Sequence, residues 1–356
     1  MQDLSFYRHR RVLITGHTGF KGSWLCRMLL DAGAEVTGYA LEPPTKPSLF
    51  ALTGLENEMH SVIGDVRDLE HLMRVFDQTQ PEIVIHMAAQ PIVRYGYQHP
   101  VETYATNVMG TVNVLECVRQ HPCVRSVVNV TTDKVYQNKE WCWGYREDDR
   151  LDGFDPYSNS KSCSELVTHS YKSSYFASGT PAISTVRAGN VIGGGDFAQD
   201  RIIPDCVRAQ QQGIPIGVRN PYSIRPYQHV LEPLTVYLMI AQRQMEDPSL
   251  ANWYNIGPDE EDCVTTGTLV DLFCKAWGEQ ATWTNLSEQN APHEAGYLKL
   301  DCSLLKSTFH WKPTWHIAEA VEETCHWSKV WLQQGDLRAE MRQEIDAFFT
   351  QMKNNQ

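Results

Sequence analysis

What this sequence lacks narrows it first. Its ten cysteines include no CxxC pair, and they form no Cys/His cluster at zinc-ligand spacing. A structural zinc or a redox dithiol therefore has no basis in the sequence, and no metal is expected. No uninterrupted apolar run is long enough to span a bilayer. The amino terminus passes from Arg8-His9-Arg10-Arg11 straight into Val12-Leu13-Ile14, which leaves no space for the apolar segment of a secretory leader. A cytoplasmic protein with reduced, mostly buried thiols is the expectation. Positive charge is also in deficit, with a formal net charge of -12, so neither nucleic acid nor an anionic membrane is an expected partner.

What is present reads as a nucleotide-binding architecture. With 356 residues, 42% of them hydrophobic, the chain can bury a large core. Short β-branched runs at Val12 to Thr15, Glu35 to Tyr39, Ser61 to Gly64, Ile83 to His86, Ser126 to Val130 and Ile183 to Arg187 predict strands. Amphipathic stretches at Ser23 to Ala32, Leu69 to Gln78, Val101 to Arg119 and Pro156 to Ser178 predict helices between them. This alternation predicts an α/β fold, a doubly wound parallel Rossmann sheet with a smaller mixed α/β substrate-binding lobe. Residues 1–189, joined by about 228–256, form the expected dinucleotide-binding domain. Residues 190–227 and 257–356 form the expected substrate lobe.

The first chemical motif is Gly16-His17-Thr18-Gly19-Phe20-Lys21-Gly22, between the first strand and the first helix. Glycines there let the backbone turn sharply and approach a pyrophosphate, which then sits on the helix amino terminus. One element of such sites is missing. The second strand ends at Tyr39-Ala40-Leu41 without an acid for the ribose hydroxyls, and Glu42 comes late. No arginine stands there to clamp a 2′-phosphate, which favours NAD over NADP. Asp65, before Val66, reads equally as a solvated turn or as a contact to the adenine rim. Ala88 and Ala89, after the fourth strand, permit close approach to the nicotinamide half, whereas His86 reads equally well as a packed core residue.

The strongest constellation joins Thr132 to Tyr157 and Lys161. Asp155 is placed to cap a helix whose first residue is Pro156, which puts the phenol and the ammonium one turn apart on one face. An ammonium beside a phenol favours the phenolate, so Tyr157 can take a proton from an alcohol as hydride leaves carbon. A plain dehydrogenase has no use for Asp133 and Lys134, which follow Thr132. Those two extra residues point beyond simple oxidation.

These residues resemble the extended short-chain dehydrogenase/reductases, and within them the sugar-nucleotide 4,6-dehydratases. The resemblance runs from Gly16 to about Asp301. It is carried further by Val130-Thr131-Thr132-Asp133-Lys134-Val135-Tyr136, Trp141-Cys142-Trp143-Gly144-Tyr145-Arg146-Glu147, Gly193-Gly194-Gly195-Asp196-Phe197-Ala198 and Arg225-Pro226-Tyr227-Gln228-His229-Val230. It implies a redox-neutral dehydration of a nucleotide-activated glucose, CDP-glucose, with a recycled NAD, for deoxysugar and O-antigen lipopolysaccharide synthesis. Within that implied reaction Asp133 and Lys134 are the acid and base of the elimination, although relatives acting on other nucleotides carry Glu where this chain has Lys134, and an ordinary lysine would be protonated at neutral pH. Burial beside Lys161 is the expected remedy.

The resemblance also assigns Asn107 to support of the catalytic lysine through water. It assigns Arg94, Asn190, Arg201, Arg219 and Arg225 to the substrate and its diphosphate, and Asn255 and His293 to the nucleotide ribose and diphosphate. A homodimer is implied, through helices Val101 to Arg119 and Pro156 to Ser178, with a tetramer left open. Two alternatives stand. A sugar-nucleotide 4-epimerase shares Thr, Tyr and Lys without needing Asp133 or Lys134, and nothing local separates cytosine from another base.

Overall fold

Seven short, mostly β-branched segments build one parallel sheet. They are β1 (Arg11–Thr15), β2 (Glu35–Ala40), β3 (His60–Ile63), β4 (Ile83–His86), β5 (Ser126–Val130), β6 (Ala182–Ala188) and β7 (Trp253–Ile256), in the spatial order β7-β6-β5-β4-β1-β2-β3. This is a computed structural model, and it describes residues 4–177, 179–278, 280–287 and 296–355. Strand order reverses between β1 and β4, so the crevice for a ligand opens at the carboxyl ends of those two strands. The register pairs Thr15 with His86 there, and His86 with Asn129 on β5.

The sheet is buried on both faces, which is why its central strands read as near-continuous apolar runs. One face packs Val12, Ile14, Ile85 and Val128 against Trp24, Leu25 and the Leu231–Glu246 helix. The other packs Leu13, Val84 and Val127 against Leu72, Phe76, Val114 and Val118. Capping follows the sequence. Asp155 Oδ1 accepts the Ser158 N–H at 3.0 Å, with Pro156 in the first helical position of Pro156–Tyr175.

Three expectations are corrected here. The helix expected over Val101 to Arg119 is delivered as Pro100–Tyr104, a π-helical turn at Ala105–Met109, and Gly110–Gln120. The seventh strand was not foreseen, because Trp253–Ile256 is short and carries a polar residue. The carboxyl-terminal stretch does not all join the second lobe. Leu337, Met341, Ile345, Phe348 and Met352 lie in the same core as Val12 and Trp24, and Leu305 and Phe309 share it.

The smaller lobe has its own core, in which Ile203, Cys206 and Val207 meet Ile216, Val218, Leu269, Phe273 and Val321. Its strands are short pairs: Ile216–Val218 beside Trp283–Asn285, and Ile224–Pro226 antiparallel to Cys263–Thr265. Gln228–His229 pairs with Val191–Ile192 where the chain passes between lobes.

Candidate active site

The glycine turn closes β1. Gly16 has φ +83°, and a Cβ on it would stand 2.8 Å from the Ala88 nitrogen. At Gly22 a Cβ would stand 2.2 Å from the Gly16 oxygen. The protein itself demands those two glycines. Gly19 is different, since a Cβ there would meet only the Gly16 oxygen, at an ordinary 3.5 Å. Nothing in the chain requires a glycine at 19, whereas a pyrophosphate lying against the turn does. Gly19 is also the N-cap of Phe20–Asp31 and brings no side-chain cap, so the first N–H groups of that helix are left for an anion. The residues therefore fit a dinucleotide.

Around this turn the expected cofactor residues take definite places. Thr18 Oγ1 donates to the Leu41 carbonyl at 2.8 Å, tying the turn to the end of β2. Asp65 is held by Arg67, whose backbone N–H and Nε donate to Oδ1 at 2.9 and 3.0 Å. This pairing keeps the Asp65 carboxyl below the usual carboxylate range. Arg67 is a charged rim residue that the sequence reading passed over. Its signal was the i to i+2 spacing of an Asx turn. The Val66 carbonyl accepts from Asn113 at 2.8 Å, and the Ala88 N–H donates to Thr15 Oγ1 at 3.1 Å, with Ala89 next in the chain. His86 is a core residue, bonded to Thr15 at 2.7 Å and to Thr111 at 3.2 Å.

Asn107 lies in the π-helical turn, a feature frequent at functional sites. Its Oδ1 accepts from the Gln90 N–H at 2.8 Å and its Nδ2 donates to Ser160 Oγ at 2.9 Å. It thus braces the catalytic helix at the residue before Lys161. The Lys161 ammonium itself donates to the Val130 carbonyl at 3.0 Å.

Thr132, Asp133, Tyr157 and Lys161 are brought together, all buried, at the end of β5 and the start of Pro156–Tyr175. Thr132 lies beside the Tyr157 phenol, and its Oγ1 donates to Asp133 Oδ1 at 3.0 Å. Burial pushes Tyr157 up to about 12, although Thr132 pulls it down. Burial also pulls Lys161 down to about 8, against the pull of Glu165. The expected lowering of the phenol by Lys161 does not figure among these influences, and loss of solvent dominates. Asp133 is 1% exposed, and its Oδ2 has no hydrogen-bond partner among the described residues. Its carboxyl is raised by burial, with Lys134, Thr132 and Arg225 opposing the rise. A carboxyl so placed favours its protonated form and is equipped to donate. Lys134 is half-buried, with its N–H on Thr132 Oγ1 at 3.4 Å.

Lys21 belongs to this cluster as well as to the glycine turn. Its Nζ donates to the Tyr237 hydroxyl at 2.8 Å. Burial first, then Arg201 and Lys161, pull it down to about 7. No local pattern points to this partner, because Tyr237 sits on a helix more than two hundred positions away.

The second lobe contributes arginines. Arg201 Nη1 pairs with Asp196 Oδ2 at 2.9 Å, and its charge acts on both Tyr157 and Lys21. Arg225 is buried, with Nη1 on the Ile224 carbonyl at 2.9 Å, and its charge reaches Asp133. Arg219 pairs with Asp200 at 2.8 Å, farther out. Asn190 follows β6, and its carbonyl accepts the Gln228 N–H at 2.9 Å. Arg94 stands exposed in the Val93–Gln98 helix. His293 lies outside the described residues.

Asn255 is corrected. It is fully buried on β7, where Oδ1 accepts from Tyr136 at 2.6 Å and Nδ2 donates to the Tyr145 and Asp301 carbonyls at 2.7 and 3.1 Å. Its amide is spent inside the protein rather than presented to a nucleotide.

A doubly wound sheet with a glycine turn after β1 and a buried Thr-Tyr-Lys set after β5 defines an extended short-chain dehydrogenase/reductase. The comparisons with known proteins narrow this. The family model described as GDP-mannose 4,6 dehydratase matches residues 13–324, and the chain belongs to that family. The chain is 48% identical to the CDP-glucose 4,6-dehydratase of Salmonella typhimurium, covering 98% of this chain and 99% of that one. Among solved structures it resembles a dTDP-glucose 4,6-dehydratase from Bacillus anthracis in complex with NAD. The TM-score is 0.75 at 20% identity, covering 92% of this chain and 99% of that one. A UDP-glucose-4-epimerase from Stenotrophomonas maltophila has a TM-score of 0.79 at 19% identity, over 92% and 100% of the two chains. At those identities the structures speak to the fold alone.

Proposed function

We propose that the protein dehydrates CDP-glucose to the 4-keto-6-deoxy sugar nucleotide, a hydro-lyase reaction of deoxysugar synthesis, with NAD held at the glycine turn. The observation that carries this reading is Asp133, a buried carboxyl with one oxygen unpartnered among the described residues, set beside Thr132 and Tyr157. A 4-epimerase needs the Thr, Tyr and Lys but has no task for that proton. The 48% identity to a CDP-glucose 4,6-dehydratase over nearly the whole chain supports the same choice, and it alone supports cytosine.

The chain's own groups then have these roles. Gly16, Gly19 and Gly22 admit the pyrophosphate, with Thr18, Phe20 and Lys21 completing the turn and Asp65, Val66, Ala88 and Ala89 along the cofactor's length. NAD, when bound, supplies the oxidant for C4 and afterwards the hydride for C6. Tyr157 takes the 4-hydroxyl proton, with Thr132 holding that hydroxyl and Lys161 favouring the phenolate. The resulting ketone acidifies C5–H, and Lys134 removes that proton. Asp133 protonates O6, which departs as water. A proton returned at C5 completes the product. Asn190, Arg201, Arg219 and Arg225 hold the diphosphate, for which guanidinium forks are suited, with Arg94 at the outer edge.

Two coarser features extend the reading. Val101, Met109 and Leu166 are 82%, 51% and 56% exposed, on segments that touch where the Tyr104 hydroxyl meets Asn159 Oδ1 at 2.9 Å. An apolar face of this kind seeks a partner, and we assign it to a second copy of the chain. The ten cysteines are all free thiols, which supports a reducing, cytoplasmic setting. Incubation with NAD and a panel of nucleoside-diphosphate glucoses, read by mass spectrometry, tests the function. Loss of one water from CDP-glucose is expected, and recovery of every sugar with its oxygen count intact rejects it.

A further inference from the structure

Arg187 and Glu165 form an ion pair with side chains only 2% and 0% exposed. Arg187 Nε donates to both Glu165 oxygens at 2.9 Å, and Nη2 donates to Oε2 at 2.5 Å. A pair this deep contributes little net stability over apolar residues of the same volume, because desolvating both charges cancels much of their attraction. Its contacts point elsewhere. Thr131 Oγ1 donates to Glu165 Oε1 at 2.6 Å, and Arg187 Nη1 donates to the Tyr136 hydroxyl at 2.6 Å. Tyr136 passes the connection on to Asn255 Oδ1 at 2.6 Å. Thr131 and Tyr136 are the residues on either side of Thr132-Asp133-Lys134-Val135. The turn that carries the proposed proton carriers is therefore held at both ends by one buried ion pair, across β6, β7 and the catalytic helix.

We infer that Glu165 and Arg187 are positioning residues that fix the Thr132–Val135 turn, so that loss of water depends on their grip more than oxidation at C4 does. The inference rests on the dehydration reading. Tyr157 and Lys161 ride on a separate helix, where the Lys161 ammonium is bonded to Val130 ahead of the turn, whereas Asp133 and Lys134 are aimed by the turn itself. A misplacement of an ångström at such groups is enough to cost a large factor in rate.

Arg187→Met or Glu165→Gln strands a buried charge and risks the fold, so the test uses the two grips, Tyr136→Phe and Thr131→Val. Each leaves the ion pair in place. Single turnover with CDP-glucose and NAD is followed by the absorbance of reduced nicotinamide and by product mass. Amide hydrogen exchange of residues 132–136 is measured in parallel. Each variant is expected to slow product formation about tenfold while the first oxidation changes less than about twofold, so that reduced nicotinamide accumulates. Exchange in the turn should quicken, and Thr131→Ser should restore both. Oxidation and water loss falling together, or exchange left unchanged, overturns the inference. If the unaltered protein oxidises CDP-glucose without losing water, the dehydration reading fails instead, and the exchange result still decides whether the grip exists.

Discussion

The carboxyl end of β5 and the arginine rim of the second lobe treat charge in opposite ways. At β5 the acid is stripped of solvent and left with one oxygen unpartnered among the described residues, while the residues flanking its turn are bonded to a buried ion pair. On the rim Arg201 and Arg219 are already seated, on Asp196 and Asp200. A group that must give up a proton has to be held in place yet poorly satisfied. A group that must hold an anion can rest on a carboxylate until the anion arrives. The first arrangement tolerates no change in position, and the second should tolerate some.

The largest effect that sharpens this contrast is expected at Tyr157. Tyr157→Phe should lower kcat/KM by about a thousandfold, the scale of a lost general base, and a fall below about tenfold would detach the phenol from the chemistry. Asp133→Asn comes next, with water loss slowed about a hundredfold while C4 oxidation persists. The same change should stabilise the fold. Because the folded pKa of Asp133 is raised, its contribution to stability is present below the unfolded carboxyl's range and lost as pH rises through the folded value. At neutral pH the residue is a liability, and Asn should gain roughly 1 kcal/mol in denaturant unfolding. A loss of stability there would contradict the reading of an unsatisfied acid.

Rim changes should be milder. Arg201→Gln is expected to raise KM about tenfold with kcat little altered, as for a lost charge-assisted contact to the diphosphate. A fall in kcat alone would move Arg201 from binding to catalysis. The smallest catalytic effect is expected at Leu166→Asp, which should shift the protein toward monomers by sedimentation, with kcat within about twofold. An unchanged sedimentation coefficient would remove that face from the proposed contact between copies.

How much of this could be read from the sequence follows the same division. β4 and β5 fall on their β-branched runs, and the cap at Asp155 with Pro156 marks the start of the catalytic helix, because these are local properties. The π-helical turn at Ala105–Met109 was invisible, since Asn107 is fastened there by Gln90 and Ser160, both distant in sequence. β7 was hidden by Asn255, whose polarity is absorbed by Tyr136. The Glu165-Arg187 pair had left a trace. Glu165 lies one turn beyond Lys161 on the same face, and Arg187 is a charge at the end of an apolar strand, which a core admits only with a partner. The seating of Arg201 and Arg219 on aspartates depends on loop geometry and had no comparable sign.

The claim on which these comparisons rest is that one site first oxidises C4 and then expels the 6-hydroxyl. CDP-glucose deuterated at C4, incubated with the protein and NAD, tests both halves in one spectrum of the product. A product lighter by one water, with the deuterium in its C6 methyl group, is predicted. Deuterium returned to C4 of a sugar that keeps all its oxygens would contradict it and identify an epimerase.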